Sequence, residues 1–383
     1  MSASAPAGFE ASGVAAGLKS NGDMDLALIV NRGPSQAAAA VFTSNRAQAN
    51  PILWSRQVAA DGVVSAIVLN SGGANCFTGA EGFQTTHATA EAVAAALDVS
   101  AGDVLVCSTG LIGEQLDRGK LASGVASAAA ALSSDGWASA ASAIMTTDTV
   151  PKTAAHAADG WSVAGMAKGA GMLAPGLATM LVVLATDADL ASYELDSALR
   201  EATRVTFDRL DSDGCMSTND QVTLMASGAS GIRPDAGEFT RAITAVCAEL
   251  ARKLQGDAEG ASHDIRIEVA GAASEDEAVE VGRSVARSNL FKAAIFGNDP
   301  NWGRVLAAIG TTNAQFDPYQ VDVSMNGVRV CHAGAPDAPR EQVDLTPRAV
   351  HVLIELKAGA STATILTNDL THDYVHENSA YAS

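Results

Sequence analysis

Short apolar runs that alternate with Ala-rich stretches constrain the fold of this chain more than any other feature of its sequence. Runs bounded by Gly, Asn or Ser predict strands over residues 25–30, 63–69 and 103–107, and residues 350–356 and 363–366 are predicted as late strands. Length and Ala content predict helices over residues 81–97, 115–132, 190–210 and 238–254. This mixture predicts an α/β protein in which mixed sheets are layered with helices.

Two local signals refine this expectation. Ser274 followed three residues later by Glu277 has the capping-box pattern, and it predicts a helix that runs from there to about residue 290. Asn326-Gly327 lies between alternating apolar residues, which predicts a hairpin over residues 321–330.

A Gly-rich segment near the start, residues 13–20, resembles a phosphate-binding loop at first sight. Its lysine does not follow the second Gly directly and the Gly spacing is one residue short, so we interpret it as a turn. The elbow motif of serine hydrolases, the dinucleotide-binding Gly pattern and the HExxH zinc motif are all absent. His372 and His376 near the C-terminus are expected to be exposed side chains rather than metal ligands.

The charge composition limits the partners. Asp and Glu number 43 against 24 Lys and Arg, which gives a formal net charge of -19. An acidic surface repels phosphate backbones, so we expect no nucleic-acid partner. An anionic small substrate would need a local basic group, and the chain has only seven lysines to supply one.

Cysteine usage and the N-terminal residues indicate the compartment. The five cysteines form no CxxC pair, which is typical of free thiols in a reducing compartment. Residues 1–10 lack a signal-peptide pattern, and no apolar run approaches the length of a membrane span. We therefore expect a cytoplasmic protein without a membrane partner.

The most informative segment is residues 168–181, where a Gly- and Pro-rich loop runs into an apolar stretch that predicts a buried strand over residues 179–186. Its local pattern alone favours a flexible loop before a strand, with Thr179 present for its β propensity. A second interpretation is a self-cleaving precursor, in which Thr179 Oγ attacks the carbonyl of Ala178 and hydrolysis of the ester frees Thr179. A free α-amine, with a pKa of about 7.7–8.0, could then accept the proton of the hydroxyl.

Specific blocks of sequence resemble one family. Lys168-Gly169-Ala170-Gly171-Met172 with Ala178-Thr179-Met180-Leu181 closely resembles the cleavage region of the ornithine acetyltransferases, the glutamate N-acetyltransferases of arginine biosynthesis. Further blocks match in order and spacing: Gly8-Phe9, Val41-Phe42-Thr43-Ser44-Asn45-Arg46, Asn70-Ser71-Gly72-Gly73-Ala74-Asn75, Cys107-Ser108-Thr109-Gly110, Thr146-Thr147-Asp148-Thr149, Ser217-Thr218-Asn219-Asp220 and Gly297-Asn298-Asp299-Pro300-Asn301-Trp302-Gly303-Arg304.

The resemblance implies a self-cleaving enzyme of the N-terminal-nucleophile type with a DmpA-like fold. The bond between Ala178 and Thr179 would be cleaved to give an α chain of residues 1–178 and a β chain of residues 179–383, which would assemble into a heterotetramer of two α and two β chains. The enzyme would move the acetyl group of N2-acetylornithine to glutamate through an acetyl-Thr179 intermediate. No metal or nucleotide cofactor is implied, and acetyl-CoA is left open as a second acetyl donor.

The resemblance also assigns roles to individual residues. Thr179 would be the nucleophile, and Thr109 with Gly110 would form the oxyanion hole. The residues expected to contact substrate are Thr147, Lys168, Thr179, Glu259, Asn378 and Ser383. Two positions depart from the family: Ser383 stands where Thr is expected, and Gly176 replaces a more usual polar residue. Without the resemblance, Thr109-Gly110 would be interpreted as a turn after a strand, and Glu259 as an exposed loop carboxylate.

Three alternatives stay open at the level of sequence. The chain could be a transferase of a specialised pathway, or one that also acetylates glutamate from acetyl-CoA. It could be a self-activated aminopeptidase or amidohydrolase of related fold. It could also be a non-catalytic binding paralogue, although Thr109, Gly110 and Thr179 are all intact.

Overall fold

The computed structural model describes residues 4–174 and 180–380. Within them the strands are β1 Phe9–Val14, β2 Leu26–Asn31, β3 Ala37–Phe42, β4 Ala66–Asn70, β5 Val104–Ser108, β6 Lys152–Ala157, β7 Ser162–Lys168, β8 Leu181–Thr186, β9 Gln221–Ala226, β10 Asp264–Ala272, β11 Asp322–Met325, β12 Val328–His332, β13 Ala335–Pro336, β14 Ala349–Glu355 and β15 Ser361–Asn368. The α-helices of the same residues are α1 Asn50–Val58, α2 Gly79–Leu97, α3 Arg118–Ala130, α4 Trp137–Ala143, α5 Ser192–Val205, α6 Ala236–Gly256, α7 Glu275–Ala286, α8 Asn289–Phe296, α9 Trp302–Ile309 and α10 His372–Ala380.

The first sheet has the strand order β1-β2-β4-β5. Strands β4 and β5 are parallel, with Asn70 paired to Ser108 at their carboxyl ends. The loops that follow these two strands therefore leave the sheet side by side. One of them carries Thr109 and Gly110 directly after β5.

The second sheet has the order β3-β9-β8-β7-β6 and combines residues from both sides of the predicted cleavage bond. Lys168, the last residue of β7, pairs with Leu181, the first residue of β8, and Leu181 pairs in turn with Gln221 of β9. One edge of this sheet therefore holds the end of β7 beside the beginnings of β8 and β9. The predicted chains of residues 1–178 and 179–383 would share a continuous set of strands, whereas the Ala178–Thr179 bond itself lies outside the described residues.

These two sheets lie face to face between two layers of helices. Apolar side chains of both sheets meet in one buried cluster that includes Ile67 of β4 and Val183 of β8. The outer face of the first sheet packs against α2 and α3, and the outer face of the second packs against α5 and α6. Apolar side chains cover both faces of each sheet, which explains why β2, β4, β5, β8 and β9 are buried along their whole length.

The third sheet, β13-β12-β11-β14-β10-β15, forms a separate two-layer unit with α7, α8 and α9. Strand β14 alternates buried and partly exposed residues, as expected for a sheet that is covered on one face. Strand β15 runs back toward the second sheet, where α10 follows it at the end of the described chain.

The prediction of an α/β protein with mixed sheets and layered helices is confirmed. The hairpin also forms, because β11 and β12 flank Asn326 and Gly327. The Ser274 hydroxyl caps α7 by accepting the Glu277 amide. Leu181–Thr186 is a buried strand, and Thr179 at the start of the predicted range is outside the described residues.

Several element boundaries differ from the predictions, and three of these differences change the interpretation of a segment. The prediction of a turn over residues 13–20 is wrong at its start, because Gly13 and Val14 pair with β2 as the end of β1. The helix over residues 190–210 ends at Val205 and continues only as a single 3-10 turn at Phe207–Arg209. The helix from the capping box ends at Ala286, and α8 begins separately after the cap at Ser288.

Other expectations concern the cysteines, the histidines and membrane spans. All five cysteines are free, and Cys215 alone among them is exposed. His372 and His376 are exposed on α10, as predicted. Among residues 4–174 and 180–380 no helix has the length and apolar character needed to cross a membrane.

Candidate active site

A cavity of about 360 Å³ lies where the edges of the first two sheets meet. Thr109 enters it from the end of β5 and Lys168 from the end of β7. The Lys168 ammonium donates a hydrogen bond to Thr109 Oγ1 over 3.2 Å, and both side chains are buried. A hydroxyl that accepts a bond still has its own proton to donate, so Thr109 can act as a donor toward the cavity.

The backbone at Thr109-Gly110 is held by the neighbouring loop. The Thr109 amide donates to Asn70 O over 3.0 Å, and the Thr109 carbonyl accepts the Gly73 amide, also over 3.0 Å. Gly110 has a φ of +126°, and a Cβ there would lie 2.9 Å from the Gly73 nitrogen, so a side chain would clash. Among the described residues the Gly110 amide has no acceptor. The available donors are thus the Thr109 hydroxyl and the Gly110 N–H, which is the pair that an oxyanion hole requires.

Burial is the main influence on the pKa of the Lys168 ammonium. It lowers the pKa of the ammonium below the usual value, and neighbouring Lys152 acts in the same direction, while Asp148, Asp220 and Glu259 oppose them. A buried cation at this position supplies the basic group that an anionic substrate would need in an acidic protein.

Glu259 forms the opposite wall of the cavity. Its Oε1 accepts the Thr147 hydroxyl over 2.8 Å, and its Oε2 accepts the Asn378 amide group over 3.0 Å. The loop at Gly171 passes so close that a Cβ there would lie 2.6 Å from the carboxylate oxygens. The carboxylate is therefore fixed in orientation by two donors and by the absence of a side chain at Gly171.

A second lysine, Lys19, also lines the cavity. Its ammonium donates to the carbonyls of Met24 and Met145, and the loop before it is held because Asp25 accepts the amides of Leu18 and Lys19. The cavity thus presents two cations and two carboxylates, Lys168 and Lys19 with Glu259 and Asp23. This mixture of charges suits a zwitterionic ligand such as an amino acid.

A buried ion cluster supports the Lys168 end of the cavity. The Lys152 ammonium lies 2.5 Å from carboxylate oxygens of both Asp148 and Asp257. Asp148 also accepts the amide of Gly169, the residue after Lys168, over 2.6 Å. Burial disfavours the ionised form of Asp148, but Lys168, Lys152 and the Gly169 amide together hold its pKa below the usual range.

The structure brings together six of the residues predicted from sequence. They all line the same cavity: Thr109, Gly110, Thr147, Lys168, Glu259 and Asn378. The remaining predicted site residues, Ala178, Thr179 and Ser383, lie outside the described residues, as does Gly176.

Sequence reasoning assigned no role to Lys19, Lys152 or Asp148. The scarcity of lysine was a usable signal, since three of the seven lie in or beside this site. Lys152 and Asp148 are four positions apart, but the pairing of Lys152 with Asp257 joins residues 105 positions apart, and no local pattern reveals it.

A larger cavity of about 910 Å³ adjoins this one. It runs beneath α10 and shares Thr147, Glu259 and Asn378 with the first cavity. Among residues 4–174 and 180–380, no group of three or more His, Cys, Asp or Glu side chains could hold a metal ion.

Comparisons with known proteins concern the chain as a whole. A model of the ArgJ family matches residues 10–383. The chain belongs to the ArgJ family. It is 64% identical over 383 residues to the arginine biosynthesis bifunctional protein ArgJ of Streptomyces avermitilis, and 61% identical to that of Streptomyces coelicolor, with all of each chain covered in both cases.

One solved structure with a similar sequence covers about half of the chain. A crystal structure of ornithine acetyltransferase complexed with ornithine from Mycobacterium tuberculosis is 55% identical to the matched part, with a TM-score of 0.44. The match covers 46% of this chain and 94% of that one.

Proposed function

We propose that this protein transfers the acetyl group of N2-acetylornithine to glutamate, giving ornithine and N-acetylglutamate for arginine biosynthesis. The observation that carries the proposal is the match to the ArgJ family over residues 10–383, together with full-length relatives that are named as bifunctional proteins of arginine biosynthesis. Acetyl-CoA would be a second acetyl donor in a bifunctional enzyme of this kind, and no metal or nucleotide cofactor takes part.

The chain would first activate itself. Thr179 Oγ attacks the carbonyl carbon of Ala178, the peptide C–N bond breaks and an ester forms. Water then hydrolyses the ester and leaves a free α-amine on Thr179. The products are chains of residues 1–178 and 179–383, and two of each would form a cytoplasmic heterotetramer. The shared second sheet supports this step, because β7 and β8 would stay hydrogen-bonded after the cut.

Transfer would proceed in two half-reactions. Thr179 Oγ attacks the acetyl carbonyl while the α-amine takes the hydroxyl proton. The C–N bond to ornithine then breaks, and that proton goes to the departing ornithine nitrogen. In the second half-reaction the amine of glutamate attacks the acetyl ester, and the Thr179 oxygen regains a proton as N-acetylglutamate leaves.

The cavity residues would serve both half-reactions. The negative oxygen of each tetrahedral intermediate would be stabilised by the Thr109 hydroxyl and the Gly110 N–H, where one such donor is worth about 2.7–4 kcal/mol of barrier. Lys168 would attract the α-carboxylate that both substrates carry. The Glu259 carboxylate, with Thr147, Asn378 and the predicted contact Ser383, would bind the amino groups.

The test is a mass measurement on the purified protein under denaturing conditions. The expected result is two polypeptides divided between Ala178 and Thr179, and an acetyl increment on the 179–383 chain after incubation with N-acetylornithine alone. Thr179→Ala should give one uncleaved chain without an increment, while Thr179→Ser, which keeps a hydroxyl, should still cleave. A wild-type chain that stays whole would refute the proposal.

The acceptor dependence separates a transferase from a hydrolase of related fold. Without glutamate, ornithine release should stop at about one equivalent per site, and glutamate should restore turnover. Continuous release of acetate without an acceptor would show the hydrolase instead.

A further inference from the structure

Lys19 lines the active-site cavity, and the proposed mechanism gives it no role. Its ammonium donates to the Met24 carbonyl over 3.1 Å and to the Met145 carbonyl over 2.7 Å. An ammonium carries three N–H donors, so one remains for a ligand. Burial lowers the pKa of this ammonium, and Asp25 and Asp23 oppose the shift only in part. Within residues 4–174 and 180–380, Lys19 donates no hydrogen bond to a carboxylate.

The loop that carries Lys19 is fixed by a buried carboxylate. Asp25 Oδ1 accepts the amide of Ala16 over 2.6 Å, and Oδ2 accepts the amides of Leu18 over 2.6 Å and of Lys19 over 2.9 Å. The hydrogen bonds of Asp25 thus go to the backbone of the loop and not to the ammonium. Because the loop is already ordered, a ligand that binds Lys19 has little ordering entropy to overcome there.

Asp148 connects the two lysines of the cavity. The Lys19 ammonium donates to the carbonyl just before Thr146, and the Thr146 amide donates to Asp148 Oδ2 over 3.0 Å. On the other side, the amide of Gly169, the residue after Lys168, donates to Asp148 Oδ1 over 2.6 Å. One buried carboxylate therefore holds both segments that position the ammonium groups of Lys19 and Lys168.

These two cations differ from other lysines of the chain in their partners. Lys152, Lys253 and Lys357 each form a salt bridge with a carboxylate. Lys19 instead donates to backbone carbonyls, and Lys168 donates to a hydroxyl. In a protein with a net charge of -19, two cations of one cavity that lack such a partner among the described residues favour a ligand with two negative groups.

The proposed acceptor has matching charges. Glutamate carries an α-carboxylate, an α-amine and a γ-carboxylate, and the proposed function assigns the first to Lys168 and the second to Glu259. We propose that Lys19 determines acceptor specificity by binding the γ-carboxylate of glutamate. The acetyl donor carries an ammonium at the end of its side chain, so Lys19 offers that end no attraction. This inference rests on the proposed function, since it concerns the acceptor of that reaction.

The test compares glutamate with glutamine as acceptors in the second half-reaction of the full-chain enzyme. Glutamine has the same length, but its side chain ends in a neutral amide, so the charge that Lys19 would bind is missing. We expect the wild type to prefer glutamate by at least about tenfold in kcat/KM, and Lys19→Met to lose most of this preference. A merely structural role of Lys19 would lower the values for both acceptors and leave their ratio unchanged.

Lys19→Gln is the second variant, and it decides the test if Lys19→Met does not fold. It is neutral, but its NH₂ group can still donate to the carbonyls of Met24 and Met145, so it should lose the preference as Lys19→Met does. Lys19→Arg keeps the charge and should retain part of the preference.

The matched control is Lys120→Met. The Lys120 ammonium donates to the Gly17 carbonyl of the same loop, but Lys120 does not line the cavity. Its ratio of kcat/KM for glutamate over glutamine should stay within about twofold of wild type.

The outcomes that overturn the inference are distinct from a failure of the proposed function. A wild type that uses glutamine as well as glutamate would overturn it, and that comparison needs no variant. A preference for glutamate that survives in Lys19→Met and Lys19→Gln would overturn it as well. A wild type that transfers no acetyl group from N-acetylornithine to either acceptor would instead refute the proposed function itself.

Discussion

Lys168 donates a hydrogen bond to the Thr109 hydroxyl over 3.2 Å, and this contact joins the carboxyl ends of strands from two different sheets. Both side chains are buried, so the ammonium acts on the hydroxyl in surroundings of low dielectric constant. A hydroxyl that accepts a bond from a cation becomes a stronger donor of its own proton. Lys168 would therefore strengthen the proposed oxyanion hole as well as attract a substrate carboxylate.

Lys168→Met tests this double role. It removes the ammonium while keeping a long apolar side chain, and we expect kcat/KM for acetyl transfer to fall at least about 100-fold, as when an oxyanion donor is lost. Both kcat and KM should change, since both charge stabilisation and carboxylate binding are removed. The control is Lys120→Met, because Lys120 is exposed and its ammonium donates to the Gly17 carbonyl; its kinetics should stay within about twofold.

Deprotonation of Lys168 should limit kcat/KM at alkaline pH. Burial lowers the pKa of Lys168, so the ammonium is lost at a pH below about 10.4, the ordinary value for lysine. We expect kcat/KM of the wild type to decline through that lower pH. The alkaline decline should vanish in Lys168→Met, whose residual activity has no ammonium to lose. A decline that persists unchanged in the variant would assign it to another group.

The Glu259 carboxylate should govern the binding of the substrate amino group. Its two oxygens accept from Thr147 and from Asn378. In Glu259→Gln, one of these donors would face an NH₂ group, so the variant loses a hydrogen bond in addition to the charge. We expect KM for N-acetylornithine to rise about tenfold or more, equivalent to about 1.4 kcal/mol, while Glu249→Gln on the exposed surface of α6 should change it little. Equal KM values in the two variants would contradict this assignment.

The sequence predicted the buried strands of the first sheet well and predicted others poorly. Strands β2, β4 and β5 are runs of Ile, Leu and Val between Gly, Asn or Ser, so local pattern and tertiary structure agree. Strand β3, AAAAVF, consists largely of a helix-forming residue. It is extended because β9 pairs with all of its six residues, a contact with a segment about 180 positions away.

The candidate site, like the strands, could be predicted from the sequence only in part. The resemblance supplied Thr109, Gly110, Thr147, Lys168, Glu259 and Asn378, and the fold brings them to one cavity. It gave no role to Asp148, although the residue lies within one of the matched blocks and accepts both Lys152 and the Gly169 amide. The environment of Asp148 depends on Lys152, which also contacts Asp257, and that second contact follows from the tertiary fold and not from neighbouring residues.

Gly110 should tolerate no side chain. Its φ of +126° and the 2.9 Å approach of a Cβ to the Gly73 nitrogen both oppose Gly110→Ala. We expect at least a 100-fold loss of kcat, since the loop that carries the Gly110 N–H must move. Gly113→Ala is a matched control, because Gly113 also has a positive φ, +89°, but a Cβ there would meet nothing within 4 Å. Comparable losses in both variants would assign the effect to backbone strain alone.

The buried cluster of Lys152, Asp148 and Asp257 should contribute to stability across the proposed cleavage site. Lys152 and Asp148 belong to the first predicted chain and Asp257 to the second, and Lys152 contacts both carboxylates at 2.5 Å. Lys152→Met would leave two carboxylates without their cation in the protein interior. Removal of one partner of such a group typically destabilises by about 3–5 kcal/mol, which chemical denaturation would measure.

The pH dependence of the stability lost in Lys152→Met tests whether the buried charges cause it. The pKa of Asp148 is lowered in the folded protein, so its ionised form contributes stability above the unfolded value of about 3.9, and this stability is lost as the pH falls through the folded pKa. The difference between wild type and Lys152→Met should therefore shrink in acid. Lys253→Met removes an exposed lysine paired with Glu249 and should cost below about 0.5 kcal/mol at any pH. A loss for Lys152→Met as small as this control would show that the cluster does not hold the two chains together.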